Sequence, residues 1–472
     1  MADSTIPRPS ERRRGPSARP ARRRRDTLDL AWTGTVAPIA MAVALGLFAW
    51  GQFAAHRPSG AGLVAIPVLC AIAFGIIRRL AATEDEFDLA GMAWLALGVK
   101  FCATYFRLLG GVDSVSYDNE GARLAEHFRA MDFTAPTGRS IPGTGTVRYF
   151  TGLVHLVTNS SYVATFLVYS FLAFLGLLCF YRAFAVGIPG GNRKRYAVLV
   201  LFWPSLLFWP SSIGKESLMI FGLGLASLGA ARILARLPRG LLVFLLGLTV
   251  VGLVRPHVAL IVVTAMLVGL VFRAPVGNSL SASAAKVLCI AVLLVVGAVV
   301  AGATARFLDL EDLNGTSVVN EALNQTEEQT AQGGGEFSAA RVTSPVDYPW
   351  AVVTVLFRPL LIEVSSPLGL FSSLEGMVLA VLGTLSLIRF VRHVGRIRQS
   401  AYLAYALTFV LTFCYLFSAI ANFGILTRQR SQVLPFVMVC LALPQYVAEV
   451  RSGDTEELDL DRRPTLRLAR GR

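Results

Sequence analysis

Six cations stand out for where they fall: Lys215, Arg255, His257, Arg358, Arg428 and Arg430 each sit in a tight turn beside an apolar run. A charge near a bilayer is costly unless it meets an anion or a water-filled cavity. Arginine offers a planar fork suited to phosphate oxygens, and lysine a point charge. Several such groups converging would hold an anionic headgroup, either a phosphate or a pyrophosphate. Carboxylates accompany them: Asp113 and Asp118 flank Tyr117, Glu216 follows Lys215, and Glu363 follows Arg358. This set suits a transfer reaction in which a carboxylate takes the proton of an acceptor hydroxyl while cations stabilise a departing phosphate. Asp113, Asp118 and Glu216 are the candidate catalytic groups. Tyr117, Lys215, Arg255, His257, Arg358, Glu363, Arg428 and Arg430 are the candidate substrate-binding groups. In the competing reading each cation reaches out to lipid phosphates, and Lys215–Glu216 and Arg358–Glu363 are structural ion pairs.

The elements that must position these groups are membrane helices. Of 472 residues, 54% are hydrophobic and 16% charged, and the mean hydropathy is +0.59. Average soluble domains carry about 25% charged residues, and a soluble chain of this length needs a polar skin that this one cannot supply. A soluble enzyme, a disordered scaffold and a secreted disulfide module are excluded. Apolar runs near 34–54, 61–77, 88–109, 160–184, 196–211, 216–235, 240–254, 257–272, 285–304, 374–391, 401–421 and 431–449 each approach the length that crosses a bilayer. The expected fold is therefore all-α, a polytopic bundle of about twelve transmembrane helices over 29–449.

Charge orients this bundle. Lys plus Arg is 44 against 30 acidic residues, a formal +14. The excess lies in a basic tail, 1–28, too polar to pack, in a second tail, 450–472, and in the connections 78–79, 193–195, 232–239, 273–286 and 389–398. Cytoplasmic loops collect Lys and Arg, so both termini are expected in the cytoplasm, with anionic lipids rather than nucleic acid as the partner of the basic residues. The Arg, Ala, Gly and Leu bias suggests a bacterial genome, hence a bacterial cytoplasmic membrane. If 350–363 spanned the bilayer, the basic 389–398 end would lie outside. The segment 350–372 is accordingly expected as a re-entrant or interfacial hairpin on the external face, and 110–159 and 305–372 as the external loops.

Several interruptions point toward a site. Trp203-Pro204, Trp209-Pro210 and the turn from Ser211 to Ser217 break one region, and Arg255-Pro256-His257 breaks another. Proline removes a helix donor, and broken, short spans commonly line substrate sites. In the first loop Leu124, Phe128 and Met131 recur at helical spacing, which predicts an amphipathic helix along the interface. The second loop begins acidic (Asp309, Glu311, Asp312) and carries Gly333-Gly334-Gly335, a hinge or lid rather than a phosphate loop. Lys100, mid-span, lies about 13 Å below the outer end of its helix, so it either reaches the same cavity or neutralises a buried acid. The six cysteines fall in apolar runs without metal-ligand spacing and read as packing residues. No nucleotide-binding motif is present. No cofactor is implied; two acids near Asp113 leave a divalent metal open, although no spacing demands one.

Four stretches taken together carry a resemblance. They are Asp113-Ser-Val-Ser-Tyr117; Phe208-Trp209-Pro-Ser-Ser-Ile-Gly-Lys215-Glu216-Ser217; Phe357-Arg358-Pro359 through Glu363 with Ser373-Leu374-Glu375-Gly376; and Thr427-Arg428-Gln-Arg430 with Pro435. Across most of 88–449 the chain resembles bacterial multi-spanning envelope-glycan proteins, the O-antigen-polymerase-like and exopolysaccharide-polymerase-like group, related in style to GT-C glycosyltransferases. The resemblance implies a membrane glycosyltransferase or polysaccharide polymerase. It would use polyprenyl-phosphate- or pyrophosphate-linked sugars at the extracytoplasmic face, alongside other envelope-glycan assembly proteins. It also implies Asp113 as base and Lys215, Arg255, Arg358, Arg428 and Arg430 as the carrier clamp. The chain departs from the GT-C pattern in placing its first large external loop after the third span instead of the first. The alternative is a transporter or flippase of a lipid-linked or anionic substrate, which twelve spans and broken helices would suit. No internal repeat relates the two halves, however, and only Lys100 clearly lies midway along a span.

Overall fold

The computed structural model describes residues 36–54, 60–110, 112–273, 280–307, 316–331, 335–364, 366–395, 397 and 400–444. Both expected basic tails, the acids Asp309, Glu311 and Asp312, and Gly333 and Gly334 lie outside the described residues. In chain order the helices are α1 Ala37–Ala54, α2 Gly60–Ala81, α3 Leu89–Leu108, α4 Val112–Arg129, α5 Thr144–Thr158 and α6 Tyr162–Gly187. They continue as α7 Arg193–Phe202, α8 Pro204–Phe208, α9 Lys215–Leu234, α10 Gly240–Val254, α11 Pro256–Phe272 and α12 Leu280–Phe307. The last are α13 Thr316–Thr330, α14 Tyr348–Phe357, α15 Pro367–Val394, α16 Ala401–Phe417, α17 Phe423–Arg430 and α18 Leu434–Leu441. Among the described residues there is no strand, only an isolated bridge between Glu336 and Asn422.

Six helices are long and apolar enough to cross a membrane: α2, α3, α6, α9, the Cys289–Phe307 part of α12, and α15. Helices α1, α10, α11, α14 and α16 are apolar but shorter. The protein is a helical membrane protein. The bundle closes around α6, whose central residues from Phe166 to Phe184 are mostly buried. Small residues let its neighbour approach closely, as is common between membrane helices. A Cβ on Gly224 of α9 would stand 2.2 Å from the Gly176 carbonyl oxygen of α6, so neither position tolerates a larger side chain.

Several expected boundaries change. The run 196–211 is not one helix: α7 stops at Phe202, because Trp203 precedes a proline and adopts extended geometry (φ −66°, ψ 127°). The five-residue α8 then leads into the turn before α9. In the run 431–449 the described helix is only the eight residues of α18, and 445–449 lie outside the described residues. The stretch 110–159 contains two helices, α4 and α5, packed as a hairpin. Gly121 makes this contact possible, since a Cβ there would come 2.4 Å from the Thr151 side chain. Leu124 and Phe128 are buried in that hairpin, whereas Met131, with φ 62°, ends the helix and is 78% exposed. The stretch 350–372 divides into α14, a break at Arg358-Pro359, a single 3₁₀ turn at Leu361–Glu363, and the start of α15 at Pro367.

The two ends of the bundle differ in charge. Arg78 and Arg79 close α2, Arg193 and Arg195 open α7, Arg232 closes α9, Arg273 follows α11, and Arg389 and Arg392 lie near the end of α15. These segments meet at one end. Arg193 pairs with Glu84 at 3.5 Å, Arg195 donates to the Ser386 hydroxyl at 3.2 Å, and the Asn192 amide donates to the Ala442 carbonyl at 2.9 Å. The opposite end carries α4, α5, the α10–α11 break and α17.

Candidate functional site

At this second end the end of α3, the start of α4, the turn before α9, the α10–α11 break and α17 enclose a cavity of about 400 Å³. Each wall has a local cause. Pro256 cannot continue the hydrogen-bond ladder of α10, so Arg255 adopts a non-helical conformation (φ −146°, ψ 89°) and reaches the cavity from the break. The turn before α9 is closed by the Ser217 hydroxyl, which donates to the carbonyls of Pro210 and Ser212 at 3.0 and 2.7 Å. That leaves Ser212, Ile213, Gly214, Lys215 and Glu216 on the wall. Asn422 caps α17 by accepting from the amides of Gly424 and Ile425, which sets the helix with Arg428 and Gln429 toward the cavity. On α4, Asp113 and Tyr117 are four residues apart and share a face.

Four cationic side chains (Arg107, Lys215, Arg255 and Arg428) and two carboxylates (Asp113 and Glu216) line the cavity, a formal excess of two positive charges. Arg428 holds Asp113 through two donors, at 2.9 and 3.2 Å, and stands 3.7 Å from Glu216. Arg255 donates to Glu216 at 3.2 Å and to the Gln429 side-chain carbonyl. Arg107 and Lys215 have no carboxylate within ion-pair distance among the described residues. Arg107 instead donates to the Ser212 hydroxyl at 3.4 Å and lies over the rings of Phe208 and Trp209. The first turn of α9, without a side-chain cap at Gly214, adds the positive end of its dipole, part of which the Glu216 carboxylate already meets by accepting from its own amide. Burial pushes the Tyr117 phenol up from its ordinary range, helped by the charges of Glu216 and Asp113. It therefore stays a neutral donor at physiological pH.

The cavity thus brings together Asp113, Tyr117, Lys215, Glu216, Arg255 and Arg428. It does not include the other candidates. Asp118 turns away toward His155 of α5, at 3.0 Å. His257 lies between the rings of Phe307 and Phe417, at 5.8 and 6.0 Å, off the cavity wall. Arg358 is bound bidentately by Glu363 and faces the rings of Phe337, Trp350 and Phe423, bracing the chain before α14 against α17. Arg430, 1% exposed, donates to the carbonyls of Leu356, Arg358 and Ser372 and pairs with Glu375 at 3.8 Å. Glu375 in turn accepts from the amide and hydroxyl of Ser205. Arg358, Glu363 and Arg430 thus contact other parts of the protein and do not line the cavity. Lys215–Glu216 is not an ion pair, because Glu216 turns to Arg255 and Arg428. Lys100 neither lines the cavity nor meets an acid; its ammonium donates to the Leu206 carbonyl and the Ser211 hydroxyl, at 3.3 and 3.1 Å.

Arg107 is the wall residue that sequence reasoning missed. A signal existed: Lys100, Thr104 and Arg107 make one polar stripe at helical spacing on an otherwise apolar α3. Among the described residues no group of three His, Cys, Asp or Glu side chains could hold a metal ion. Comparison with protein-family models, curated proteins and solved structures gives no match.

Proposed function

We propose that the protein is a membrane glycosyltransferase or polysaccharide polymerase that uses polyprenyl-phosphate- or pyrophosphate-linked sugars at the extracytoplasmic face of a bacterial cytoplasmic membrane. The observation that carries this reading is the cavity with two cations more than it has carboxylates, beside an uncapped helix N-terminus. An anion would balance that excess, and phosphate oxygens match both the arginine fork and the positive end of the helix. Arg107 and Lys215 bind the phosphate in this reading. Asp113, the more exposed carboxylate, accepts the acceptor's proton once the phosphate competes for Arg428. Glu216 is the buried counter-ion that keeps Arg255 and Arg428 in place. Tyr117 donates a hydrogen bond to a sugar oxygen.

The orientation follows from charge. The basic turns gather at the end opposite the cavity, and the positive-inside rule puts such an end in the cytoplasm. Twelve crossings accord with this alternation: the six long helices, α1, α10, α11 and α16, the broken pair α7–α8, and the stretch from Arg428 to Ala442. That last stretch runs from the cavity to the Asn192 amide at the other end. The part of the chain that includes α14 reads as re-entrant. The Tyr348 hydroxyl donates to the Leu411 carbonyl within α16, while Arg358, beyond the far end of α14, stands over Phe337 and Phe423.

The test is to reconstitute the purified full chain in vesicles and supply a polyprenyl-diphosphate-linked saccharide. Longer glycans on the lipid are the expected product. Recovery of the unchanged saccharide in the other leaflet would establish a flippase instead.

A further inference from the structure

Trp209 does not line the cavity and is 7% exposed, yet it touches two of the cavity's cations. Its ring lies 5.5 Å from the guanidinium carbon of Arg107 and 6.0 Å from that of Arg428. Phe208, edge-on to Trp209 with centroids 5.2 Å apart, takes Arg107 at 5.0 Å. Arg107 comes from α3 and Arg428 from α17, two elements far apart in the chain, and like charges brought this close repel in a low-dielectric setting. Arg428 is restrained by Asp113 and Glu216 at ion-pair distance, whereas among the described residues Arg107 contacts the Ser212 hydroxyl and the two rings and feels those carboxylates only from farther away.

We propose that Trp209 is a positioning residue for the anion site. One indole, attracting both guanidiniums through its electron-rich face, offsets their repulsion and orients Arg107 toward the cavity before any ligand arrives. Trp209 touches no substrate; it acts through Arg107 and Arg428. This rests on the reading of the cavity as an anion site. It goes beyond that reading by assigning the preorganisation of the site to a residue outside its wall.

Inorganic pyrophosphate, titrated calorimetrically into the purified full chain, tests the two ideas separately. Absence of binding by the wild type overturns the anion-site reading itself. If the wild type binds, Trp209→Leu, which keeps an apolar side chain but loses the ring face, is expected to weaken affinity about tenfold. In an Arg107→Ala background the same change is expected to cost no more than about threefold, because its main target is gone. A merely structural tryptophan would cost the same factor in both backgrounds, and that result, or unchanged affinity in Trp209→Leu, overturns the proposal. If Trp209→Leu does not fold, Trp209→Phe serves the same cycle. It retains a weaker ring face, so the expected loss is about threefold, disappearing in Arg107→Ala. Equal loss in both backgrounds again overturns the proposal.

Discussion

Replacing Asp113 by Asn should separate chemistry from stability. The Asp113 side chain is 66% exposed and its ion-pair partner is Arg428. Exposed pairs contribute roughly 0.2–1 kcal/mol, so the neutral isostere should lower unfolding stability by less than about 1 kcal/mol. Turnover should fall much further, since losing a general base costs on the order of 100- to 10,000-fold. Glu216→Gln is expected to act in the opposite sense. That carboxylate, with 9% of its side chain exposed, is shared by Arg255 at 3.2 Å and Arg428 at 3.7 Å. Removing its charge leaves two crowded guanidiniums, and breaking a buried pair costs roughly 3–5 kcal/mol. The assay measures glycan extension at saturating lipid-linked saccharide and thermal unfolding on the same detergent preparations. The reasoning is refuted if Asp113→Asn keeps its rate within about tenfold of wild type, or if it destabilises the protein as much as Glu216→Gln does.

Arg430→Met should reduce accumulation and stability by about 3 kcal/mol or more, because it unpairs Glu375 and orphans three carbonyls; membrane yield and unfolding of the purified variant measure this. Acid should loosen the brace at Glu363. Burial raises this carboxyl, but hydrogen bonds from Arg358 and the Leu360 amide outweigh it and hold it below its ordinary 4.5. The pair therefore adds stability above pH 4.5 that is lost as pH falls further. Unfolding curves should show the stability gap between wild type and Glu363→Gln narrowing only in that acid range. For topology, a cysteine at Asn119 should react with a membrane-impermeant thiol reagent from outside and one at Lys194 only from the cytoplasmic side; the reverse labelling would invert the proposed orientation.

Much of the cavity was visible in the sequence because breaks marked it. Pro256 exposes Arg255, the turn from Ser211 to Ser217 exposes Lys215 and Glu216, and Asp113 and Tyr117 open a polar stretch at helical spacing. The residues that sequence reasoning misplaced look the same in one dimension. Arg430 follows Arg428 by two positions, which on a helix turns it roughly 200°, from the cavity wall into the carbonyls around α14 and α15. Asp118 is one step from Tyr117 and so faces α5. Arg107 was overlooked because an arginine closing an apolar helix is an ordinary way for a span to end; its role depends on meeting Ser212 and Trp209, more than 100 positions later. The run 196–211 passed for one span because its composition is apolar throughout, while the restriction that Pro204 imposes on Trp203 divides it.

The central claim is that Arg107, Lys215, Arg255 and Arg428 form one receptor for a phosphorylated lipid carrier. The most direct measurement is a cryo-electron microscopy structure of the full chain in nanodiscs with a non-transferable polyprenyl-diphosphate sugar bound. Phosphate oxygens are expected within about 2.7–2.9 Å of Arg107 and Lys215, at the first turn of α9, with Arg428 drawn from Asp113. A carrier seated elsewhere on the bundle, with Arg428 still on Asp113 and the cavity holding only solvent, would contradict it.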